Sequence, residues 1–282
     1  MQTRLLPGTK ALLPVIGQGT WDVPEHGARG EEAVRALRRG LELGMTHIDT
    51  AEMYGSGRAE EIVAQAIAGV PREQVFLTSK VLPSNASFKG TIAACERSLK
   101  RLRVSYLDLY LLHWPSSFAI EETMSALEQL VADGKTRFIG VSNFDVEDVK
   151  EAQAALRRGR LACNQVLYHL KERGIEKRLL PFCKQEQISI VAYTPFGRGT
   201  LAADMRAGDV LHEIAAKHKK TARQIVLRFL TRDPDVFTIP KASTVKHVEE
   251  NSGAADFELT AGDISQIDGA FPARSDGRLA TL

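Results

Sequence analysis

Short apolar runs alternate with amphipathic stretches along the whole chain. Eight runs have the length and composition of strands, and they read PVIGQGT, THIDT, VFLTSK, LDLYLLH, TRFIGVSN, CNQVLY, ISIVAYTP and VFTIPK. A strand with one solvated face would alternate cleanly between apolar and polar residues, and none of these runs does so. The runs therefore predict a parallel sheet that is covered on both faces.

The stretches between these runs have the period of amphipathic helices. We predict helices over Glu31–Leu43, Arg58–Ala68, Ser87–Leu102, Ile120–Asp133, Asp145–Arg157, Gly174–Gln185, Val210–Lys219, Thr221–Arg232 and Val245–Ala254. Eight strand–helix units in 282 residues are typical of a (β/α)8 barrel, an α/β fold, and we expect a single domain over residues 1–282. The opening TRLLPGTKALLPVI predicts a β-hairpin around Pro7 and Gly8 that plugs the bottom of the barrel.

An open, doubly wound sheet is the structural alternative for this alternation. Its dinucleotide-binding turn needs a G-x-G-x-x-G fingerprint at the first strand. Here Gly17 and Gly19 are followed by Thr20 and Trp21, so the fingerprint is incomplete and the barrel is favoured.

Composition narrows the classes of partner. The chain carries 37 basic and 35 acidic residues, a net charge of +2, which gives no reason to expect a nucleic-acid or membrane partner. The start lacks the continuous apolar core of a signal peptide, and no apolar run is long enough to span a bilayer. Cys95, Cys163 and Cys183 form neither a disulfide framework nor a metal-ligand spacing. We expect a cytoplasmic monomer without a metal site.

Polar residues close the apolar runs, and barrel enzymes carry their active residues at these strand ends. Asp49 ends the second run, Lys80 the third and His113 the fourth, while Tyr54 lies in the loop after the second. The later strand ends carry Asn143, Gln165, Thr194 and Lys241. Any one of these residues is ordinarily a cap or a satisfied polar group. Four chemically complementary side chains on three adjacent strands predict a reactive cluster.

The cluster has the composition of a tuned general acid. A tyrosine has an ordinary pKa of about 10, and a buried ammonium beside it favours the phenolate. We expect Lys80 to lower the pKa of Tyr54 in this way, with Asp49 keeping Lys80 charged despite its burial. His113 would then donate a hydrogen bond to a carbonyl oxygen near Tyr54.

The chain resembles the aldo-keto reductases. Eight segments match that family's sequence blocks in order and cover essentially the whole chain. They are GQGTW, HIDTAEMYG, LTSKV, DLYLLHWP, GVSNF, NQVLYH, VAYTPFGRG, and IPKAS followed further on by EN. The resemblance implies that Asp49, Tyr54, Lys80 and His113 are the catalytic residues. The short loops and KASTVKHVEEN look most like the bacterial branch that contains methylglyoxal reductases.

The resemblance also implies NADPH as the coenzyme, bound across the barrel mouth. Ser142, Asn143 and Gln165 would hold the nicotinamide carboxamide, and Tyr193 would stack on the ring. The pyrophosphate and adenosine would meet Thr20, Trp21, Thr194, Pro195, Phe196, Gly197, Arg198, Lys241, Ala242, Ser243, His247, Glu250 and Asn251. Lys241 and Ser243 would take the 2′-phosphate, whereas Glu250 and Asn251 would take the adenine. Trp21, Tyr54, His113 and Trp114 would wall the substrate pocket.

Three positions depart from the family's usual pattern. Ala242 stands where a serine is usual, His247 where an arginine is usual and Thr194 where a serine is usual. The first two remove phosphate-binding groups, so we expect a reduced preference for NADPH over NADH.

We predict the NADPH-dependent reduction of small aldehydes and ketones such as methylglyoxal. Short loops and the brief tail PARSDGRLATL favour a shallow, open site for small carbonyl substrates. The alternatives are a diketo-sugar-acid reductase of the 2,5-diketo-gluconate type and a barrel that acts mainly as a cofactor-sensing binding subunit.

Overall fold

The strands of the barrel follow one another around the sheet in chain order. The computed structural model describes residues 1–24, 26–198, 205–273 and 279–282. A two-stranded hairpin, β1 (Thr3–Leu5) and β2 (Leu12–Pro14), precedes the barrel. The barrel strands are β3 (Gln18–Gly19), β4 (His47–Asp49), β5 (Phe76–Val81), β6 (Leu107–Leu112), β7 (Thr136–Ser142), β8 (Leu161–Leu167), β9 (Ser189–Tyr193) and β10 (Val236–Thr238). Their order is sequential and every pairing is parallel.

The first and last strands meet and close the sheet into a barrel. The Gly17 N–H donates to the Thr238 carbonyl at 2.8 Å, and the Thr238 N–H donates to the Val15 carbonyl at 3.0 Å. Gly19 lies beside Lys241 in a parallel bridge. A Cβ at Gly19 would lie 2.6 Å from the Ile239 carbonyl oxygen, so this close approach requires glycine. The predicted (β/α)8 fold is confirmed.

The hairpin covers the end of the barrel at which the strands begin. Leu6 and Leu13 are fully buried and pack with Phe76, Leu109 and Phe237 in one apolar cluster. Because Phe76 is the first residue of β5, this cluster fills the bottom of the barrel. The predicted plug is confirmed.

Helices alternate with the strands as the sequence predicts. They are α1 (Gly27–Glu42), α2 (Arg58–Ile67), α3 (Phe88–Leu102), α4 (Ile120–Ala132), α5 (Val146–Ala155), α6 (Leu179–Gln185), α7 (Met205–His218), α8 (Ala222–Leu230), α9 (Val245–Ser252) and α10 (Ala261–Ala270). Asp145 and Thr221 begin α5 and α8 with reciprocal capping boxes. No helix in the described part of the chain has the length and apolar character needed to cross a bilayer.

Two elements differ from the prediction. The helix predicted from Gly174 is a short 3-10 turn, Gly174–Glu176, followed by the shorter α6. Helix α10 was not predicted, because its sequence AGDISQIDGA buries few apolar side chains. A capping box between Thr260 and Asp263 supports this helix in place of a broad apolar face. Part of the short tail on which an open site was predicted, residues 274–278, lies outside the described residues.

Candidate active site

The barrel brings the four predicted catalytic residues to the end at which the strands finish. Asp49 is the last residue of β4, Lys80 is the last but one of β5, and His113 directly follows β6. Tyr54 opens a short 3-10 turn, Tyr54–Gly57, in which Ser56 has a φ of 55°. Parallel strands place these ends side by side, so residues distant in sequence become neighbours.

Lys80 is the centre of the cluster. Its ammonium donates to Asp49 Oδ1 at 2.5 Å, to the Thr50 carbonyl at 3.0 Å and to the Tyr54 hydroxyl at 3.1 Å. The Lys80 side chain is 0% exposed and Asp49 is 1% exposed. All three ammonium protons are therefore used, which is the condition under which a buried charge is tolerated. The His113 ring lies 5.7 Å from the Tyr54 ring, edge to face.

Burial and the neighbouring charges together set the protonation states of the cluster. Burial alone would lower the pKa of Lys80, but Asp49 and Tyr54 raise it above its ordinary value. Burial raises the pKa of Tyr54, and Lys80 offsets only part of this rise. The expected lowering effect of Lys80 on the Tyr54 pKa is present, but burial outweighs it and the net shift is upward. Burial, with a smaller effect of Lys80, lowers the pKa of His113 to about 2. Tyr54 and His113 are thus both neutral at physiological pH.

Gln165 connects the predicted coenzyme site to this cluster. Its side-chain amide donates to Asp49 Oδ2 at 2.7 Å, while Lys80 occupies Oδ1. Since a carboxylate only accepts, this bond fixes the orientation of the amide and directs the Gln165 side-chain oxygen away from Asp49. The sequence predicted Gln165 as a coenzyme residue but not as a partner of Asp49. The Thr20 hydroxyl also donates to the Asp49 carbonyl, at 2.9 Å.

The predicted nicotinamide residues form a hydrogen-bonded chain. The Tyr193 hydroxyl donates to Asn143 Oδ1 at 2.7 Å, and Asn143 Nδ2 donates to the His113 carbonyl at 3.0 Å. The Ser142 hydroxyl donates to the Gln165 carbonyl at 2.9 Å. Asn143 has a φ of 63°, a left-handed conformation that asparagine tolerates better than most residues. These bonds position amide groups around one end of a common cleft.

The cleft at the barrel mouth encloses about 670 Å³, including the open space at its entrance. Its wall consists of Gly19, Thr20, Trp21, Asp49, Met53, Tyr54, His113, Trp114, Asn143, Gln165, Tyr193, Thr194, Arg198, Ile239, Lys241 and Leu282. All four predicted substrate-pocket residues are among them. The sequence predicted no role in the site for Gly19, Met53, Ile239 or Leu282, because none of them has a side chain that carries a chemical signal. The guanidinium of Arg198 lies 4.6 Å from the Trp21 ring centroid.

The other predicted coenzyme residues do not line this cleft. They are Ser142, Pro195, Phe196, Gly197, Ala242, Ser243, His247, Glu250 and Asn251. Ala242 is buried in an apolar cluster with Val248 and Ala254, where a serine would place a hydroxyl. His247 is exposed on the first turn of α9. Thr194 has a φ of 54° at the turn after β9.

Buried polar atoms near α9 fit a nucleotide ligand. Asn251 is 0% exposed, and neither its amide oxygen nor its amide nitrogen makes a hydrogen bond. The buried Ser243 hydroxyl also has no hydrogen-bond partner. Buried polar groups are rarely left without a partner, and an amide offers both a donor and an acceptor to the edge of a base. The donor set therefore fits the predicted adenosine end of NADPH.

The Aldo/keto reductase family model matches residues 15–271, and the chain belongs to this family. It is 47% identical over 262 residues to the methylglyoxal reductase YeaE of Escherichia coli strain K12, covering 93% of this chain and 92% of that protein. It is 38% identical to a glyoxal reductase of Bacillus subtilis strain 168, covering 91% and 88% respectively. An aldo/keto reductase of Klebsiella pneumoniae, crystallised with NADP and acetate, superposes over 100% of both chains with a TM-score of 0.91 and 42% identity.

Proposed function

We propose that this protein is a reductase that uses NADPH to convert small aldehydes and ketones, such as methylglyoxal, to alcohols. The Lys80 ammonium, 2.5 Å from Asp49 and 3.1 Å from the Tyr54 hydroxyl, carries this proposal. It is the arrangement that a proton-donating tyrosine needs. The methylglyoxal and glyoxal reductases among the relatives support the substrate class, and the NADP in the Klebsiella structure supports the coenzyme.

When bound, the coenzyme would supply the hydride that the carbonyl carbon of the substrate takes up. The Tyr54 hydroxyl donates its proton to the carbonyl oxygen, which completes the alcohol and leaves a phenolate. Lys80 stabilises that phenolate through its 3.1 Å hydrogen bond, and Asp49 keeps Lys80 protonated. The neutral His113 ring donates a hydrogen bond to the carbonyl oxygen and stabilises the negative charge that develops there.

The coenzyme would span the mouth of the barrel. Ser142, Asn143 and Gln165 would hold the carboxamide, and Tyr193 would pack on the nicotinamide ring. The pyrophosphate and adenosine would contact Thr20, Trp21, Thr194, Pro195, Phe196, Gly197, Arg198, Lys241, Ala242, Ser243, His247, Glu250 and Asn251. The substrate would lie between Trp21, Tyr54, His113 and Trp114, which share one cleft.

We further propose that the chain acts as a single-domain monomer in the cytoplasm. Its three cysteines are buried free thiols, and burial raises the pKa of Cys95 and Cys183 to about 12. Such thiols are inert, which suits a reducing compartment. Light scattering on the purified protein tests the monomer, because a dimer would double the measured mass.

Tyr54→Phe tests the proposed proton donor. This change keeps the ring and removes only the hydroxyl, so we expect the kcat for methylglyoxal to fall by about 10²–10⁴-fold while NADPH still binds. The measurements are NADPH consumption and NADPH affinity by fluorescence quenching. Tyr106→Phe is the matched control, because Tyr106 packs against Arg72 away from the cleft.

Retention of half the wild-type kcat by Tyr54→Phe would exclude Tyr54 as the donor. The same assay separates the alternatives. A binding subunit would bind NADPH without reducing any carbonyl compound, and a diketo-sugar-acid reductase would prefer 2,5-diketo-gluconate to methylglyoxal.

A further inference from the structure

Arg223 lies where three elements meet beside the predicted adenosine site. It is in the first turn of α8, and its guanidinium carbon is 3.6 Å from the centroid of the Phe196 ring, in the loop after β9. Arg223 Nε lies 3.5 Å from a carboxylate oxygen of Glu250, in the last turn of α9. The residue therefore contacts both the predicted pyrophosphate loop and the predicted adenine-binding helix.

The guanidinium of Arg223 is stacked but poorly hydrogen-bonded. Its Nε is inaccessible to solvent and makes no hydrogen bond with any described residue. A distance of 3.5 Å to Glu250 is too long for a good charge-assisted bond. The side chain is 39% exposed, so one part of it is covered by Phe196 and another part is open.

Arg232, a second arginine stacked on an aromatic ring, differs from Arg223 because protein groups satisfy its guanidinium. The Arg232 guanidinium lies 3.9 Å from the Phe229 ring centroid. It also donates to the Tyr168 hydroxyl at 2.9 Å, to Glu176 at 3.0 Å and to the Phe229 carbonyl at 2.9 Å. Arg223 has the same stacking without these bonds. A partly desolvated cation that has spare donors and whose side chain is still 39% exposed is suited to a flat, polar ligand.

We propose that Arg223 binds the adenine ring of the coenzyme, with its guanidinium held between the base and Phe196. Asn251, the residue after Glu250, is fully buried and makes no hydrogen bond through either amide atom, and it would meet the edge of the same base. This assignment rests on the proposed use of NADPH. It adds to the predicted set a residue from α8, an element to which the sequence assigned no role in the site.

Arg223 is placed for the base rather than for the 2′-phosphate. Lys241 and Ser243, the residues predicted for the phosphate, precede α9, whereas Glu250 is in its last turn. The Glu250 carboxylate beside Arg223 would repel a phosphate, but it can accept a hydrogen bond from an amino group of a base. Arg223 should therefore contribute equally to NADPH and NADH affinity and should not discriminate between them.

Coenzyme fragments separate these roles in a binding experiment that needs no turnover. Calorimetry would measure 5′-AMP, 2′,5′-ADP, reduced nicotinamide mononucleotide and NADPH against wild type and Arg223→Ala. We expect 5′-AMP, 2′,5′-ADP and NADPH to bind about 10-fold more weakly, the size of base stacking on one side chain. The nicotinamide fragment should bind as it does to wild type.

Two variants serve as controls. Arg223→Lys keeps the charge but not the flat face, and we expect it to bind 5′-AMP as weakly as the alanine variant does. Arg137→Ala removes an arginine that also packs on an aromatic ring, Phe138, and pairs with Asp108, but at the opposite end of the barrel. It should leave all four affinities unchanged, and thermal unfolding would show that each variant is folded.

The possible outcomes are distinct. Unchanged 5′-AMP affinity in Arg223→Ala would overturn the proposal, and so would a loss confined to 2′,5′-ADP and NADPH, which would indicate a phosphate ligand. Full recovery of 5′-AMP binding in Arg223→Lys would also contradict it, because charge alone would then suffice. If wild type itself failed to bind NADPH, the proposed function would fail before Arg223 was tested.

Discussion

Replacing Gln165 with methionine should slow reduction through the proton donor as well as through the coenzyme. Gln165 and Asp49 are 2% and 1% exposed, and the 2.7 Å bond between them satisfies Asp49 Oδ2. Methionine has a similar volume but no donor, so one oxygen of a buried carboxylate would lose its partner. Asp49 would then draw the Lys80 ammonium more strongly and weaken its 3.1 Å bond to Tyr54.

The size of the effect follows from the bond that is lost. A hydrogen bond to a charged group contributes about 1.5–3 kcal/mol. If about half of this reaches Tyr54 through Lys80, the phenolate left after proton transfer is destabilised by about 1 kcal/mol. Since 1.4 kcal/mol is a factor of ten, kcat should fall roughly 5- to 10-fold. The same change raises the pKa of Tyr54 further, so the alkaline limb of the rate profile, where Tyr54 loses its proton, should move to higher pH.

The assay is kcat for methylglyoxal from about pH 6 to pH 11 at saturating NADPH. Ser142→Ala is the control, because the Ser142 hydroxyl donates to the Gln165 carbonyl and not to Asp49. It should weaken coenzyme binding without moving the alkaline limb. A pH titration of phenolate absorbance in the absence of coenzyme measures the same shift in the Tyr54 pKa, once the signal of the Tyr54→Phe variant has been subtracted. Burial raises the pKa of Tyr193 to about 12, so that residue ionises late. An unmoved alkaline limb in Gln165→Met would refute the coupling.

Three further predictions concern the coenzyme, acid stability and substrate size. His247→Arg should raise the ratio of NADPH to NADH affinity about 10-fold by adding a bidentate phosphate ligand. Calorimetry with both coenzymes measures this ratio, and an unchanged ratio would contradict the prediction. Burial lowers the pKa of His47 to about 4, so between about pH 6.5 and 4 the unfolded chain binds a proton that the folded chain does not. The free energy of unfolding should therefore fall on acidification across this window. Urea unfolding at several pH values should show that His47→Gln reduces the slope of this free energy against pH by about 1.4 kcal/mol per pH unit. A slope equal to that of the wild type would contradict the prediction. Methylglyoxal should exceed a steroid ketone in kcat/KM, because the same cleft, about 670 Å³ with its open entrance, would also have to hold the nicotinamide of the coenzyme. The reverse order would exclude a small-carbonyl site.

The strands were predictable because most positions of the parallel strands are buried on both faces, so that each strand appears as an apolar run. β5 and β6 are buried at every position, and their sequences stand out accordingly. Helix α10 could not be predicted in the same way, because few of its residues face the core and its cap can also occur in a loop. The local pattern of apolar and polar residues indicates which side chains are buried, so an element that buries few apolar side chains is not detected.

The clustering of the proposed catalytic residues was predictable from the barrel rule, since Asp49, Lys80 and His113 each lie at a strand end. Its finer features depend on contacts that no local pattern encodes. Gln165 meets Asp49 across 116 positions of sequence, and Leu282 reaches the cleft from the tail. The net direction of the Tyr54 pKa also depends on the depth of burial, which the identity of its neighbours does not give.

The electrostatics of the cleft favour an uncharged substrate. Burial raises the pKa of Tyr54 and lowers the pKa of His113 to about 2, so both of the proposed hydrogen-bond donors to the substrate are neutral. Lys80, which lies behind Tyr54 and does not line the cleft, is neutralised by Asp49. Among the described residues of the wall, Arg198 and Lys241 are the cationic side chains, and both are predicted to bind the coenzyme. In the described part of this wall, a carboxylate on a sugar acid would thus find no cation that is not already predicted for the coenzyme, whereas a small ketoaldehyde would need only the two proposed neutral donors.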